Sequence, residues 1–362
     1  MLFGAAIWSK WWYIASICFK GKQCFSIMND RKLKLADLAK LAGVSTSTVS
    51  RALNDNPLIK KETRDKLQQL AKKHNFSLNT AASRLRTQKT NVVAVIINLD
   101  GDTEQSINDP FLLKIVGEIN LALNKFGLEL LLSNSFMASD DWANYFINSR
   151  RADGIIVVGQ GKSQANIEAA ASAGVPLVVW GDPKTPSSYP IVGSDNYLGG
   201  RLATEHLLAN GAKNILFLGD PGHAEISERH RGYLDAINEA KATPHVVSID
   251  ITSSAAYKGI NQLLVEKGLY FDGIMACSDM VAFGAMKALK ERYISIPTDV
   301  ALVGFDDIAM ADISHPSLSS IKQNTQRASV ILVEKLLAQL AGQSVESQVV
   351  EIELVNRQSS QR

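Results

Sequence analysis

Short, continuous apolar runs recur between helical stretches from residue 91 onward. Runs of this kind, bounded by turns and helices, predict parallel strands that are covered by helices on both faces of a sheet. The runs are Val92–Leu99, Leu128–Ser133, Asp153–Gly159, Val175–Trp180, Ile191–Gly193, Asn214–Gly219, His245–Asp250, Gly273–Cys277 and Val300–Gly304. They outnumber the strands of one ordinary doubly wound sheet, so we expect an α/β body of two lobes with a ligand cleft at the carboxyl ends of its strands.

Residues 33–76 have a different pattern, with leucines at helical spacing and no strand signal. Gly43 breaks the first predicted helix, and Ser45 is a suitable N-cap for a second helix over Thr46–Leu53. A further helix follows the turn at Asn54–Pro57. Two helices joined by a short glycine turn are typical of a helix-turn-helix, so we predict an all-α, DNA-binding head.

The charge of the chain divides at about residue 90. Residues 29–90 contain fourteen Lys or Arg and five Asp or Glu, a net charge of +9, whereas residues 91–362 contain 21 basic and 31 acidic residues, a net charge of −10. A basic head suits a polyanion such as DNA, and an acidic body does not. Residues 77–90 are small, polar and basic, as expected of a linker or of a helix that forms only on binding.

These patterns predict four regions. Residues 1–28 are an apolar, Trp-rich extension, which we expect to be disordered or absent from the native protein, with a membrane anchor as the alternative. Residues 29–76 form the DNA-binding domain, residues 77–90 the hinge, and residues 91–362 an effector-binding and dimerisation domain of two lobes. Within this last region, we expect the chain to cross between the lobes near residues 190, 320 and 350.

The second helix of the head carries side chains that are suited to reading DNA. Thr46, Ser47 and Arg51 would reach base edges in the major groove, where the Arg51 guanidinium matches two acceptors of guanine. Four flanking polar residues would bind phosphates and fix the register, namely Ser45, Thr48, Ser50 and Asn54. The alternative is a packing module of three helices whose polar face is solvated.

The stretch from Leu35 to Asn54 resembles the head of the lactose/galactose-repressor family of bacterial transcription regulators, and the similarity runs from about residue 33 nearly to the C-terminus. The resemblance implies a periplasmic-binding-protein-like body and a homodimer that binds double-stranded operator DNA. It also implies a hinge helix in the minor groove, where Leu85 would wedge into the central base step. The hinge contacts that it assigns are Asn79, Ala82, Ser83 and Leu85.

The resemblance also assigns effector contacts to the body. Trp180 would stack on the apolar face of a sugar ring, Arg229 would grip two hydroxyls or a carboxylate, and Asp306 would accept sugar hydroxyls. The full set is Asp109, Phe111, Trp180, Arg229, Ser278 and Asp306. Ser278 stands where the family often has Asn, and Ile251 stands where some sugar-binding members have an aromatic residue. A core role for Trp180 and a surface ion pair for Arg229 are the alternatives.

The sequence favours a cytoplasmic, sugar-responsive repressor of a carbohydrate-use operon. A corepressor-dependent regulator of the same fold and a sugar receptor without DNA function are the alternatives. Neither GxSxG, HExxH nor a Walker loop occurs, and the cysteines Cys18, Cys24 and Cys277 form no CxxC pair, so we expect no enzyme activity, no metal and no other cofactor. The C-terminal segment has no leucine heptads, which favours a dimer over a tetramer.

Overall fold

The computed structural model describes residues 33–76 and 89–362, except residues 100, 102, 137–140 and 162–163. The chain divides into two compact units between Gln88 and Lys89. The extension at 1–28 and the four predicted hinge contacts lie outside the described residues, those contacts being Asn79, Ala82, Ser83 and Leu85. Their roles therefore stay predictions.

Three helices form the described part of the head, as the sequence predicts: α1 (Leu35–Ala42), α2 (Thr46–Leu53) and α3 (Lys61–Lys73). One small apolar core joins them, and its buried members are Leu38, Ala39, Val49, Ala52, Leu67 and Ala71. Since these side chains come from all three helices, each helix depends on the other two for the burial of its apolar face.

Local interactions fix the turn between α1 and α2. Gly43 ends α1 with a φ of 66°, a left-handed conformation that favours glycine. The Ser45 hydroxyl accepts a hydrogen bond from the Thr48 backbone N–H at 3.1 Å and so caps α2. At the start of α1, the Asp37 carboxylate accepts from the Lys34 N–H at 3.0 Å. Because the cap of α2 is encoded locally, this helix begins at the residue that the sequence predicts.

The strands of the body form two sheets. In the described residues they are β1 (Val92–Ile97), β2 (Glu129–Asn134), β3 (Gly154–Val158), β4 (Leu177–Trp180), β5 (Ile191–Ser194), β6 (Ile215–Leu218), β7 (His245–Val247), β8 (Gly273–Ala276), β9 (Ala301–Asp306), β10 (Ser319–Gln323), β11 (Gln348–Val350) and β12 (Ile352–Val355). The first lobe has the six-stranded order β11-β5-β4-β3-β1-β2, and the second has β12-β10-β9-β8-β6-β7. Neighbouring strands are parallel, except that β12 is antiparallel to β10. The predicted class, a helix-turn-helix head with a two-lobed α/β body, is therefore confirmed.

Helices cover both faces of each sheet. They are α4 (Pro110–Asn124), α5 (Ala165–Ser172), α6 (Asn196–Ala209), α7 (Ala224–Glu239), α8 (Ser253–Lys267), α9 (Asp279–Glu291), α10 (Ala309–Ile313) and α11 (Thr325–Leu340), with a π-helical segment at Ala143–Asn148 and a 3₁₀ turn at Gln358–Ser360. Alternate residues of β1 pack against α4 and α11 on one face and against α5 and the π-helical segment on the other. Among the helices of the described ranges, none has both the length and the apolar character needed to span a membrane.

The described chain passes between the lobes at three points: from β5 to α6, from β10 to α11, and from β11 to β12. The first two crossings contact each other, because the buried Ser194 hydroxyl donates to Gln323 Oε1 at 2.7 Å. Helix α11 belongs to the first lobe although it follows most of the second lobe in sequence. The crossings connect the two lobes and place the carboxyl ends of strands from both sheets around one cleft.

Candidate functional sites

The polar residues of the head that are predicted to contact DNA lie on α2 or at its ends. The side chains of Thr46, Ser47 and Arg51 are exposed, whereas Val49 of the same helix is buried in the core of the head. Ser47 and Arg51 are four residues apart, so they share one face of the helix. The exposed face of α2 therefore carries hydroxyl and guanidinium groups that take no part in the core of the head.

Hydrogen bonds order the residues that flank this surface. Ser45 Oγ lies 2.8 Å from both Ser47 Oγ and Thr48 Oγ1 at the N-terminus of α2. At the other end, Asn54 Nδ2 donates to the Ser50 carbonyl at 2.8 Å. A helix N-terminus surrounded by hydroxyls suits a phosphate, because backbone N–H groups and the helix dipole both favour an anion there.

A cavity lies between the two lobes of the body, at the carboxyl ends of β1, β3 and β4 in the first lobe and of β8 and β9 in the second. Its volume is about 100 Å³. All six residues that the sequence assigns to the effector line this cavity: Asp109, Phe111, Trp180, Arg229, Ser278 and Asp306. Half of them come from each lobe, so the fold brings together side chains that are far apart in the chain.

Two aromatic side chains form the cavity wall of the first lobe. The ring centroids of Phe111 and Trp180 are 6.4 Å apart, and the ring planes are tilted by 45°. Trp180 is 5% exposed, since most of its surface packs in the core of the first lobe. The structure thus places this residue both in the core, which is the alternative considered from the sequence, and on the wall of the cavity.

Arg229 lies on α7 and is held by three contacts. Its Nε donates to Asn196 Oδ1 at 2.9 Å, its Nη1 donates to the Cys277 carbonyl at 2.5 Å, and its guanidinium carbon lies 3.6 Å from the centroid of the Phe305 ring. The side chain is 8% exposed, so the alternative of a surface ion pair is wrong. A guanidinium with two N–H groups engaged in this way keeps others that can donate to ligand oxygens.

Asp306 ends β9 with a φ of 117°, a strained conformation for a residue with a side chain. Its Oδ1 accepts a hydrogen bond from Gln323 Nε2 at 2.7 Å. Burial raises the pKa of Asp306 well above its usual range; the charge of Arg229 opposes this shift, and the carboxyl groups of Asp279 and Asp109 add to it. A carboxyl group that is costly to ionise, in a cleft beside a buried cation, is a candidate for binding a polar ligand.

Asp109 and Ser278 both cap helices that begin at the cavity. Asp109 Oδ1 accepts from the N–H groups of Phe111 at 2.9 Å and Leu112 at 3.3 Å, at the start of α4. Ser278 Oγ accepts from the Val281 N–H at 3.2 Å, at the start of α9. Burial raises the pKa of Asp109, and these backbone hydrogen bonds oppose the shift. Both residues therefore have a structural role that does not depend on a ligand.

Four polar residues of the cavity wall are not indicated by the sequence: Asn98, Gln105, His223 and Glu225. Asn98 directly follows β1, and His223 and Glu225 lie at the start of α7, after β6. The rule that ligands bind beyond the carboxyl ends of strands could have identified these three, whereas Gln105 lies in a loop without a distinguishing pattern. Ile251 also lines the cavity, with an aliphatic side chain in place of an aromatic one.

A helix-turn-helix head and a two-lobed body with a cavity between its lobes define a class of DNA-binding proteins that respond to small ligands. Residues 34–79 match the family model of bacterial regulatory proteins of the lacI family, and residues 204–360 match that of a periplasmic binding protein-like domain. The chain therefore has a DNA-binding domain of the lacI family of bacterial regulatory proteins and a periplasmic binding protein-like domain. It is a DNA-binding transcriptional repressor controlled by a small-molecule effector.

Similar proteins cover nearly the whole chain. The HTH-type transcriptional repressor PurR of Histophilus somni (strain 2336) is 26% identical over 334 residues, which are 90% of this chain and 98% of that protein. The ribose operon repressor of Halalkalibacterium halodurans is 28% identical over 321 residues, which are 88% of this chain and 93% of that protein. A crystal structure of the Lac repressor dimer bound to operator and the anti-inducer ONPF has a TM-score of 0.80 and 25% identity, and the match covers 91% of this chain and 99% of that chain.

Proposed function

We propose that the chain represses a carbohydrate-use operon and that a sugar in the cavity releases it from its operator. The observation that carries this proposal is the cavity itself, where an aromatic wall in one lobe lies across from the buried Arg229 and Asp306 of the other. A sugar ring has apolar C–H faces and hydroxyls at its edge, so it could stack on Trp180 while its hydroxyls bind the polar side chains. The other proposed effector contacts are Asp109, Phe111 and Ser278.

The head supports sequence-specific DNA binding, with residues 29–76 as the DNA-binding domain, 77–90 as the hinge and 91–362 as the body. We assign base contacts to the exposed Thr46, Ser47 and Arg51. The assigned phosphate contacts are Ser45, Thr48, Ser50 and Asn54, and the assigned hinge contacts are Asn79, Ala82, Ser83 and Leu85. The Lac repressor structure is that of a dimer bound to operator, and we extend this arrangement to a homodimer of the present chain.

Release from the operator follows from linkage between the two binding sites. If the sugar binds better to the form with lower operator affinity, operator DNA must weaken sugar binding by the same factor. Such a factor is typically on the order of 5 to 150. The three crossings between the lobes are the points about which the lobes can reorient.

We also propose that the protein acts in the cytoplasm, where operator DNA lies, and that it binds its effector without converting it. The support is that its relatives are transcription regulators. Chromatography of the effector after long incubation with the purified protein should recover it unchanged, and a reaction product would contradict this part of the proposal.

The experiment that tests the function measures binding of the full chain to palindromic DNA fragments from upstream of its own gene, by fluorescence anisotropy. The trial effectors are ribose, cellobiose, maltose, galactose and, for a purine, hypoxanthine. We expect tight operator binding that one of the sugars abolishes. Tight binding only in the presence of a ligand would replace induction by corepression, and the lack of any operator preference at low and high salt would leave a sugar receptor.

A further inference from the structure

A ring of hydrogen bonds lies beside the cavity. Arg229 Nε donates to Asn196 Oδ1 at 2.9 Å, and Asn196 Nδ2 donates to Asp182 Oδ1 at 3.2 Å. The Asp182 N–H donates to Gln160 Oε1 at 2.6 Å, and the Gln160 N–H donates to Glu225 Oε1 at 3.1 Å. Glu225 and Arg229 are one helical turn apart on α7, so the helix itself closes the ring.

The ring crosses the cleft twice. Gln160 and Asp182 follow β3 and β4 of the first lobe, whereas Asn196 begins α6 and the two remaining members lie on α7 of the second lobe. Only the two members on α7, Glu225 and Arg229, belong to the cavity wall. The other three lie behind the wall, where Asp182 is two residues from Trp180 and Gln160 lies between Gly159 and Gly161 of the wall.

Four of the five ring members are shielded from water, and Glu225 is partly exposed. Gln160 is 0% exposed, and Asp182 and Asn196 are each 1% exposed. In such surroundings a hydrogen bond is stronger than in water, and its loss leaves a buried polar group without a partner. Water does not readily replace a broken bond there, so the geometry of the ring is sharply defined.

The backbones of α6 and α7 are in contact next to the ring. A Cβ added to Gly200 of α6 would lie 1.9 Å from the carbonyl oxygen of Arg229, so only glycine permits this approach. The backbone of Arg229 is thereby fixed relative to α6, and the bond from its Nε to Asn196, at the start of the same helix, fixes its side chain as well.

We propose that Asn196 is a positioning residue of the effector site, which orients the Arg229 guanidinium and, through Asp182, ties it to the strand end that carries Trp180. A ligand that contacts both Trp180 and Arg229 then binds well only when the ring is closed. A ligand bound in the cavity therefore favours the angle between the lobes at which the hydrogen bonds of the ring are formed. This inference rests on the proposed function for its ligand, whereas the ring consists of contacts within the chain itself.

The test exchanges the two side chains that meet across the cleft. Asn196→Asp keeps an acceptor for Arg229 Nε, but it removes the donor to Asp182 Oδ1 and to the Ser194 carbonyl, each at 3.2 Å, and sets two carboxylates against each other. Adding Asp182→Asn restores one donor and one acceptor between positions 182 and 196. We expect Asn196→Asp to weaken sugar binding by about tenfold, and the double variant to recover the part of this loss that is due to the contact with position 182.

Two readouts separate a positioning role from a merely structural one. Hydrogen exchange of the Gln160 amide in the ligand-free protein reports the bond to Glu225, and it should be faster in the Asn196→Asp variant and slow again in the double variant. Isothermal titration with the sugar that releases the operator reports affinity. The matched control is Asn210→Ala at the other end of α6, where Asn210 Nδ2 donates to the His206 carbonyl at 2.8 Å, and it should leave both readouts unchanged.

Wild-type affinity in Asn196→Asp, or a double variant as weak as the single one, would overturn the inference. A wild-type protein that binds no trial sugar, while Gln160 exchange still responds to the two substitutions as expected, would contradict the proposed function and leave the ring intact. If the variants unfold at the same temperature as the wild type, weaker sugar binding is not caused by loss of the fold. Should Asn196→Asp not fold, Asn196→Ser weakens the same two bonds and should change both readouts in the same direction.

Discussion

The carboxyl group of Asp306 is proposed to bind the sugar, but its burial lowers the stability of the folded chain at neutral pH. Its carboxyl group is buried, and this burial is the largest cause of its raised pKa. A carboxyl group whose pKa is higher in the folded chain than in the unfolded chain holds its proton more tightly when folded. Its contribution to stability is therefore fully present below the unfolded-chain pKa and is lost as pH rises through the folded-state value.

Asp306→Asn should consequently stabilise the ligand-free protein at pH 7 and weaken sugar binding. The amide keeps an oxygen for the Gln323 donor and removes a desolvated charge. We expect a gain of a few degrees in unfolding temperature, as for about 1 kcal/mol in a domain of this size, which vanishes below the unfolded-chain pKa of 3.8. Thermal unfolding from pH 3 to pH 8 measures this, and a variant that is less stable at pH 7 would show that Arg229 more than offsets the burial.

Arg51 is the residue on which sequence preference in the head should depend. Arg51→Ala should weaken binding to the operator by roughly 1–3 kcal/mol and relax the choice of base at one position, because a guanidinium can satisfy two acceptors of guanine. Lys73→Ala, at the end of α3, is the matched control and should retain the sequence preference. Anisotropy titrations on the operator and on single-base variants measure both effects. An equal loss on random DNA would make Arg51 a phosphate contact.

Three helices of the body, α4, α7 and α9, begin at the cavity. A helix N-terminus carries a partial positive charge and attracts anions. All three N-termini already have a carboxyl group of the chain, since Asp109 is the N-cap of α4, Glu225 lies in the first turn of α7 and Asp279 lies in the first turn of α9. The N-cap of α9 is the neutral hydroxyl of Ser278. Carboxyl groups therefore outnumber the buried cation Arg229 in the wall of the cavity.

This arrangement of helices predicts an uncharged effector. The sugar acid or sugar phosphate with the same ring as the active sugar should bind about tenfold more weakly, because Asp109 and Glu225 repel it in a partly desolvated cavity. Asp109→Asn should reduce the difference in affinity between the neutral sugar and the anion, since it removes one charge and keeps an oxygen for the cap of α4. Isothermal titration of the matched pair measures the effect, and tighter binding of the anion would show that a helix N-terminus is still available to it.

The elements that the sequence predicts well have local signals. The bounds of α2 follow from the cap at Ser45, and the central strands follow from continuous apolar runs. Strand β10 has no such signal, because its buried Ser319 and Ser320 are satisfied by hydrogen bonds from distant parts of the chain rather than by apolar packing. The ring beside the cavity is equally hidden, since Gln160 and Glu225 meet only through the crossings of the chain. Side chains at strand ends are thus predictable as a group, and their partners are not.

Over the whole molecule, positive charge is concentrated in the head, at +9 for residues 29–90. If a dimer contacts about six phosphates, its operator affinity should fall by a factor on the order of a thousand between 50 and 200 mM salt. Sugar binding in the cleft should change much less, because uncharged ligands release no counterions. Parallel titrations at both salt concentrations compare the two affinities, with light scattering to establish the dimer. An operator affinity that does not change with salt would contradict the predicted phosphate contacts, and a tetramer would contradict the predicted dimer.

The path of the chain through the lobes has a consequence for biosynthesis. The first lobe begins at β1, yet one face of its sheet is covered by α11, which ends at Leu340. Leu332 and Leu336 of that helix pack against the same strands. A ribosome adds about 5–20 residues per second, so the part of this face that α11 covers, beside α4, stays uncovered for roughly tens of seconds while the second lobe is made. The lobe that is synthesised first is completed last, and it is the one that a chaperone would need to protect.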